Sequence, residues 1–281
     1  MKGGRGVGLL LPAMLLLLVA FVLPVGMLVP TSFRPYVPLV GITRGFTPGY
    51  YTRLVTDSYY LEIIGRTLAL GLTVTLSTLL IGYPLAFFLA RTRSRWRNWL
   101  TLLVVFPLYL NLVVRTFGWI ALLAQNGLVN QALQTLGVVQ EPLKLLFNFA
   151  GLLIALTHIF LPFMVLVLIG PIQNIPRDVE DAARVLGASW GSTFLRVTLP
   201  LSMPGILSGS ILVFVLTISA LVTPRLLGGP TYQVMSTLIF DEFLQRLNWP
   251  AGSAAALLLT LMVLALVFLS GVLARRTGAR A

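Results

Sequence analysis

Side chains that could carry out chemistry are scarce in this chain of 281 residues, which has no cysteine and a single histidine, His158. Without cysteine there can be no disulfide framework, thiolate nucleophile or iron–sulfur cluster, and one histidine cannot form a multi-histidine metal site. The apolar segments also hold no clustered carboxylates from which an acid–base pair could be assembled. We therefore expect no catalytic residue, no metal site and no cofactor on this chain, which disfavours an intramembrane enzyme.

One basic side chain nevertheless lies in an apolar stretch. Arg115 falls within a predicted membrane span, where an ionisable group marks a functional site by default. It could face a solute pathway or a partner subunit, or it could lie near a helix end and extend to the interface. Asn111, four residues earlier, would share its helical face, whereas Tyr109 would lie elsewhere on the helix and Trp119 follows. We take these four as candidate pathway residues, and we expect His158 to be a satisfied core histidine rather than a ligand or proton carrier.

Two adjacent carboxylates, Asp241 and Glu242, lie in the amphipathic stretch Thr237–Leu247. Near the mouth of a pathway they could attract a cationic solute electrostatically, so they join the candidate pathway residues. The interpretation that we favour is a solvated face of a short helix, or contacts for an extracytoplasmic protein. Aromatic faces can bind cations without a buried charge, so the pathway itself can be lined by aromatic and neutral polar groups.

The composition decides what kind of elements must position these residues. The chain is 57% hydrophobic and only 10% charged, with a formal net charge of +12. Soluble domains are about one quarter charged, and a disordered polycation would be far less apolar. Nucleic-acid binding would require a basic face on a soluble fold. The sequence therefore predicts an integral membrane protein, with the lipid bilayer and no nucleic acid among its partners.

Six segments are long and apolar enough to cross a bilayer, which requires roughly 20 residues per helix. They are about Val7–Val29, Thr67–Ala90, Trp99–Leu122, Phe149–Pro171, Gly205–Thr223 and Ala254–Ala274. The first exceeds a typical signal-peptide core and no small-x-small cleavage site follows it, so we interpret it as a retained signal-anchor helix. Pro12 and Pro24 should kink this helix or end it early.

The distribution of Lys and Arg predicts the orientation of these spans. The N-terminus, the tail and the loops 91–98 and 172–203 together hold twelve basic residues, against seven on the opposite side. By the positive-inside rule both termini are then cytoplasmic. We predict an all-α, multi-pass membrane protein with six transmembrane helices. It forms a single domain over residues 1–281, with a first helix at about 7–29 and a five-helix core at 67–274 that includes the cytoplasmic loop 172–203.

The loop 172–203 is much longer than a turn between two helices needs, and it reads as two short helices. Asn174 can cap the first, and Gly187 suits the left-handed position after its end. Glu180 and Arg184 are spaced as an i,i+4 pair. Ser189 can cap the second helix, which should stop at Leu199-Pro200. An apolar stripe follows one face of the first helix: Val179, Ala182, Ala183 and Leu186. The hairpin could equally dock on a partner or lie on the inner leaflet.

This loop resembles the Glu-Ala-Ala-x3-Gly-x9-Ile-x-Leu-Pro signature of permease subunits of bacterial binding-protein-dependent ABC importers. The matching residues are Asp181-Ala182-Ala183, Gly187 and Val197-x-Leu199-Pro200. Asp replaces Glu and Val replaces Ile, and every interval agrees. In that family the loop is the coupling helix that docks on the ATPase. The resemblance thus implies these ATPase-coupling residues: Glu180, Asp181, Ala182, Ala183, Arg184, Gly187, Ala188, Leu199 and Pro200.

Further stretches narrow the resemblance to spermidine/putrescine-type permeases, and to the first of the two that such systems carry. They are Leu112–Trp119, Asn126–Asn130, Leu161–Met164, Val222–Gly229 and Asn248–Pro250. The resemblance implies a type I importer fold in the bacterial inner membrane. It also implies a second permease in a heterodimer, two ATPase subunits that bind ATP and magnesium, and an extracytoplasmic solute-binding protein.

The nucleotide chemistry is expected on another chain, since no Walker motif G-x-x-x-x-G-K-[ST] occurs in this sequence. A polyamine is the expected solute. The alternatives are a different small solute, such as an amino-acid-like compound or a phosphonate, and an ATP-independent secondary transporter. The last would carry charged residues in several spans or inverted repeats with broken helices.

Overall fold

The computed structural model describes Pro12 and residues 14–278. The start of the first predicted span and three of the residues used to predict the orientation, Lys2, Arg5 and Arg280, lie outside the described residues. The described chain is helical apart from one two-stranded hairpin. It divides into two compact units.

The first unit comprises the residues up to Ile63 together with Met235–Met262. Its first helix, α1, covers Met14–Ser32. It contains a π-helical turn at Leu18–Val22, and Pro24 lies in the first turn of the α-helical segment that follows. The helix nevertheless continues through Pro24 to Ser32, so the expectation that Pro24 would end α1 early is wrong.

A short antiparallel hairpin follows α1 in this unit. Strand β1, Tyr36–Val37, pairs with β2, Gly41–Ile42, and the helix α2 then covers Gly49–Thr56. Residue Leu39 at the hairpin tip has a φ of 70° and is fully exposed. The hairpin and α2 thus form a structured connection between two long helices.

The second unit comprises Ile64–Val234 and the residues after Met262. The long helix α3, Ser58–Arg91, enters it from the first unit. Two short helices follow, α4 at Arg97–Val105 and α5 at Leu112–Leu123, with α6 at Leu128–Thr135 after them. The next helix, α7 at Phe149–Gln173, supplies much of the buried core.

The remaining helices complete the two units. They are α8 at Arg177–Val185, α9 at Trp190–Leu201, α10 at Met203–Ser219, α11 at Met235–Phe240 and α12 at Trp249–Gly278. Five helical segments of the described chain are long and apolar enough to cross a membrane when α5 and α6, Leu112–Thr135, count as one segment. The number is six when α9 and α10, bent by 64°, count as a further span. This number agrees with the six predicted.

The predicted continuous span Trp99–Leu122 is wrong, because the chain breaks in its middle. After α4 a 3-10 turn covers Phe106–Tyr109, and Leu110 is extended with a ψ of 138°. Asn111 then caps α5, and its Oδ1 accepts a hydrogen bond from the Val113 N–H at 2.8 Å. Asn111 therefore lies outside the helix of Arg115 and does not share a helical face with it.

Helices α7 and α10 pack closely through two small residues. A Cβ placed on Gly205 would lie 2.8 Å from Cγ of Pro171, and one on Gly209 would lie 2.8 Å from Sδ of Met164. Small residues four apart let two membrane helices approach at the backbone. The pair Gly205 and Gly209 therefore sets the distance between α10 and the central helix α7.

Candidate functional site

The loop helix α8 ends as predicted and begins differently. At its end Gly187 has a φ of 88°, and its N–H donates to the Arg184 carbonyl at 2.9 Å. The Ala188 N–H donates to the Ala183 carbonyl at 3.0 Å, which completes a Schellman motif. At its start, Pro176 occupies the capping position. The predicted cap Asn174 instead terminates α7.

Glu180 makes contacts that local spacing did not predict. Its Oε1 accepts from Nη2 of Arg91 at 2.7 Å and from the Thr198 hydroxyl at 2.8 Å. The side chains of Arg91 and Glu180 are only 14% and 13% exposed. The predicted i,i+4 partner Arg184 is exposed at the surface. Glu180 therefore turns inward, toward the ends of two other helices.

Two further hydrogen bonds strengthen this junction. Nη1 of Arg91 donates to the Ile175 carbonyl at 3.1 Å, and Nη2 of Arg177 donates to the Arg91 carbonyl at 2.8 Å. We call the set Arg91, Ile175, Arg177, Glu180 and Thr198 the clamp. Because the ion pair is largely sheltered, salt screens it less than a surface pair. The clamp fixes α8 to the end of α3 and to the helix that enters α10.

The part of α8 outside the clamp is exposed and carries charged side chains together with three large apolar ones. Val185 and Leu186 are each 88% exposed, and Val179 is 42% exposed. Of the predicted coupling residues, Asp181, Ala182 and Ala188 are exposed or half-buried in this same region. Exposed apolar side chains grouped on a short helix are typical of a protein–protein contact. We call Val179, Val185 and Leu186 the free face.

Helix α9 begins at the predicted cap and continues past the predicted stop. The Ser189 hydroxyl accepts from the Ser192 N–H at 3.3 Å. A π-helical turn at Phe194–Thr198 then places Pro200 in the first turn of a last short segment that ends at Leu201. The helix thus passes Pro200 by one residue. The bend comes instead at Ser202, before α10.

The polar residues of α5 and α7 form a second cluster. Nε1 of Trp119 donates to Nδ1 of His158 at 3.2 Å, with the ring centroids 5.2 Å apart. His158 is exposed. His158 therefore has a hydrogen-bond partner, as predicted, but the prediction that it lies in the core is wrong.

Arg115 lies one turn before Trp119 on the same face of α5. Its Nε and Nη1 atoms are buried and have no hydrogen-bond partner among the described residues. Tyr109, in the 3-10 turn, is 79% exposed. The structure thus groups Arg115, Trp119 and His158, and it leaves Tyr109 and Asn111 outside α5.

The predicted pathway carboxylates Asp241 and Glu242 are buried in the first unit, which corrects the solvated face that we favoured. Asp241 is 9% exposed and Glu242 is 3% exposed, both in a π-helical turn that continues α11. Oε1 of Glu242 accepts from Nη1 of Arg246 at 2.7 Å. Burial raises the pKa of Glu242 above its ordinary value, and the positive charge of Arg246 opposes this. A pathway role for Asp241 and Glu242 stays a prediction.

Sequence reasoning missed most of the clamp. Arg91 and Glu180 are 89 residues apart in the chain, and Thr198 is 18 residues from Glu180. Local spacing pairs Glu180 with Arg184 instead. The position of Arg91 could have indicated the contact, because a basic residue at the end of a long helix lies next to the loop that carries Glu180.

Several long apolar helices joined by structured loops describe a multi-pass membrane protein. Comparison with known proteins agrees. Residues 82–280 match the model of the family described as binding-protein-dependent transport system inner membrane component.

Individual relatives match over most of the chain. The spermidine/putrescine transport system permease protein PotB of Escherichia coli (strain K12) is 36% identical over 247 residues, covering 88% of this chain and 90% of the relative. The molybdenum transport system permease protein ModB of Mycobacterium bovis is 32% identical over 233 residues, covering 83% of this chain and 86% of the relative.

Solved structures share the fold at low sequence identity. A chain of a bacterial ABC transporter for import of the acidic polysaccharide alginate has a TM-score of 0.74 at 21% identity, covering 96% of this chain and 94% of that one. A chain of the MetNI methionine ABC transporter, in an inward-facing conformation, has a TM-score of 0.60 at 15% identity, covering 77% of this chain and 95% of that one.

This chain belongs to the family of inner membrane components of binding-protein-dependent transport systems. Its fold is that of a type I ABC importer permease, in a multi-pass inner membrane protein. The predicted family, fold class and location are therefore confirmed. The side on which the termini lie stays a prediction.

Proposed function

We propose that this permease forms, together with a second permease subunit, the pathway by which an ATP-driven importer takes up a polyamine. The proposal for the solute is supported by the 36% identity to a permease named for spermidine and putrescine transport. An extracytoplasmic binding protein would deliver the solute. The chain would catalyse no covalent change, and ATP and magnesium would bind to two partner ATPase subunits.

The coupling role is supported by the different surroundings of the two sides of α8. Its inner side is held by the clamp through hydrogen bonds of 2.7–3.1 Å. Its free face exposes Leu186, whose complete burial would stabilise a contact by about 2 kcal/mol. An ATPase that docks on the free face would displace α8, and the clamp would pass that displacement to α3 and α10.

Some of the candidate pathway residues are suited to a cationic solute, and one is not. Tyr109 and Trp119 offer aromatic faces, which attract cations without a buried charge. Asp241 and Glu242 could assist if they lie near the entrance. Arg115 has the opposite effect, because its guanidinium repels a cation and attracts an anion, and its Nε and Nη1 have no hydrogen-bond partner among the described residues.

Arg115 therefore favours a second candidate function, which is the import of a small anion such as a phosphonate. The 32% identity to a permease named for molybdenum transport supports the same class of solute. Both candidates use the same permease machinery, and they differ in the sign of the charge that the pathway must stabilise.

The deciding experiment is uptake by the complete importer in liposomes, with its binding protein outside and ATP inside. We expect uptake of labelled spermidine or putrescine that requires ATP and the binding protein. Uptake of a phosphonate or molybdate instead would replace the polyamine assignment. Uptake driven by an ion gradient without ATP would contradict the importer mechanism itself.

A further inference from the structure

A strongly basic cavity lies at the junction of α3, α4 and α8, apart from the free face of α8. Its volume is about 420 Å³. Four of its lining residues are arginines, namely Arg93, Arg95, Arg97 and Arg177, and Thr92, Ser94 and Asn98 add hydroxyl and amide groups. No acidic side chain lines it within the described chain.

None of these arginines forms an ion pair with an acidic residue of the described chain, although Arg93 and Arg177 also line a neighbouring pocket with Glu180 and Asp181. Arg177 donates to a backbone carbonyl, that of Arg91. Arg95 contacts the ring of Trp96, with 5.9 Å from its guanidinium carbon to the ring centroid. Arg93 and Arg95 are exposed. Like charges held this close repel one another, so an anion in the cavity would relieve the repulsion and could accept several hydrogen bonds.

The surroundings of the cavity indicate which anion it suits. Trp96 and Trp99 lie beside the arginines and are 58% and 65% exposed. Along α4, Leu102 and Leu103 are 49% and 72% exposed. Tryptophan is enriched where a membrane protein meets the headgroup layer. A ligand with one anionic group and apolar tails would contact both the arginines and this exposed apolar surface, whereas free phosphate would contact only the arginines.

We propose that this cavity binds the phosphate group of an anionic phospholipid, with phosphatidylglycerol as the probe. Arg93, Arg95, Arg97 and Arg177 bind the phosphate, and the acyl chains lie along Trp99 and Leu103 of α4. Basic pockets on the cytoplasmic side of membrane proteins bind anionic headgroups in this manner. The proposal places the loop 91–98 at the inner leaflet, as the predicted orientation does, and it is independent of which solute is imported.

The test uses the complete importer in phosphatidylcholine nanodiscs that contain a small fraction of photoactivatable phosphatidylglycerol. We expect cross-links to peptides covering 91–105. Each arginine near an anionic surface contributes about fivefold in affinity, so Arg93→Gln/Arg95→Gln/Arg97→Gln should lower labelling about a hundredfold. The matched control is Arg34→Gln/Arg44→Gln/Arg53→Gln, which removes three exposed arginines elsewhere and should leave labelling unchanged. A triple lysine variant at positions 93, 95 and 97 keeps the charge and should retain most labelling.

Three results would overturn the proposal. Equal labelling by a phosphatidylcholine analogue would show that the anionic charge has no role. Complete competition by inorganic phosphate would assign the cavity to a soluble anion. Labelling that occurs only after the ATPase subunits are removed would assign the surface to the ATPase. Since labelling needs neither ATP nor solute, its failure is distinguishable from a failure of the transport assay.

Discussion

Nη2 of Arg91 lies 2.7 Å from Oε1 of Glu180, and this contact joins the last residue of α3 to the loop helix α8. The same carboxylate oxygen accepts a hydrogen bond from Thr198, just before α10. Helix α8 follows α7 directly in the chain. Three long helices therefore meet at one loop helix, and the clamp gives the loop a defined orientation.

The first prediction concerns the charge of Glu180. Glu180→Gln keeps the shape but removes the ion pair, and breaking a sheltered pair costs about 3 kcal/mol locally. We expect ATP hydrolysis to continue while solute uptake per ATP falls several-fold. The measurement is the ratio of uptake to hydrolysis in liposomes that contain the complete importer.

The matched control for Glu180→Gln is Arg196→Gln, which removes an exposed charge from α9. The exchange Arg91→Glu/Glu180→Arg should recover part of the ratio if the pair acts through its attraction. An unchanged ratio in Glu180→Gln, with normal folding, would contradict a role for the clamp in coupling.

The second prediction concerns the free face of α8. Leu186→Asp places a charge where we propose that the ATPase docks, and loss of about 2 kcal/mol of apolar burial weakens docking close to thirtyfold. Because Leu186 is 88% exposed, the permease itself should fold normally. Co-purification of the ATPase with the permease measures the effect.

Leu195→Asp provides the comparison, since Leu195 is 62% exposed on the neighbouring helix α9. We expect it to retain the ATPase. Equal loss of the ATPase in both variants would mean that docking is not specific to the free face.

The third prediction concerns packing between α7 and α10. In Gly205→Ala the new Cβ would lie 2.8 Å from the ring of Pro171, which cannot rotate away. Overpacking of this kind costs about 1–3 kcal/mol. The thermal unfolding midpoint in detergent should fall. Gly170→Ala is the control, because a Cβ there meets nothing within 4 Å, and a midpoint as low as that of Gly205→Ala would contradict the packing argument.

The fourth prediction concerns pH. Burial raises the pKa of Glu242 above the ordinary 4.5, and Arg246 opposes this only in part. A raised folded-state pKa means that the folded protein binds the proton more tightly than the unfolded one. The resulting stabilisation is present at low pH and is lost as the pH rises above 4.5 toward the folded-state pKa.

Glu242→Gln mimics the protonated form, so its stability relative to the original protein should improve as the pH rises through this window. Thermal unfolding at several pH values measures the difference. Asp57→Asn, at an exposed carboxyl in the same unit, is the control. A difference for Glu242→Gln that is constant or shrinks with rising pH would be inconsistent with the raised pKa.

Local chemistry made some features predictable. Gly187 and Ser189 form their capping hydrogen bonds with residues within four positions in the chain, so the sequence spacing alone predicted both caps correctly. Asn174 failed as a cap because α7 continues to Gln173 and uses Asn174 as its end. The family signature identified the loop as a whole, but it did not separate residues of the free face from residues of the clamp.

Longer-range features could not be read from the sequence. Glu180 has an acceptable partner four residues away in Arg184, and nothing local reveals that Arg91 competes for it. The break before α5 arises where a 3-10 turn meets the side-chain cap of Asn111, and hydropathy is insensitive to both. The burial of Asp241 and Glu242 depends on neighbours from distant parts of the first unit.

The Schellman motif at the end of α8 also constrains the length of the chain. The Ala183 carbonyl must meet the Ala188 N–H, and Ser189 must cap α9 immediately afterwards. Adding or removing one residue between Ala183 and Gly187 would rotate α8 by about 100° against α9, since a helix has about 3.6 residues per turn. The free face would then point away from its partner, so this short segment should accept no insertion or deletion.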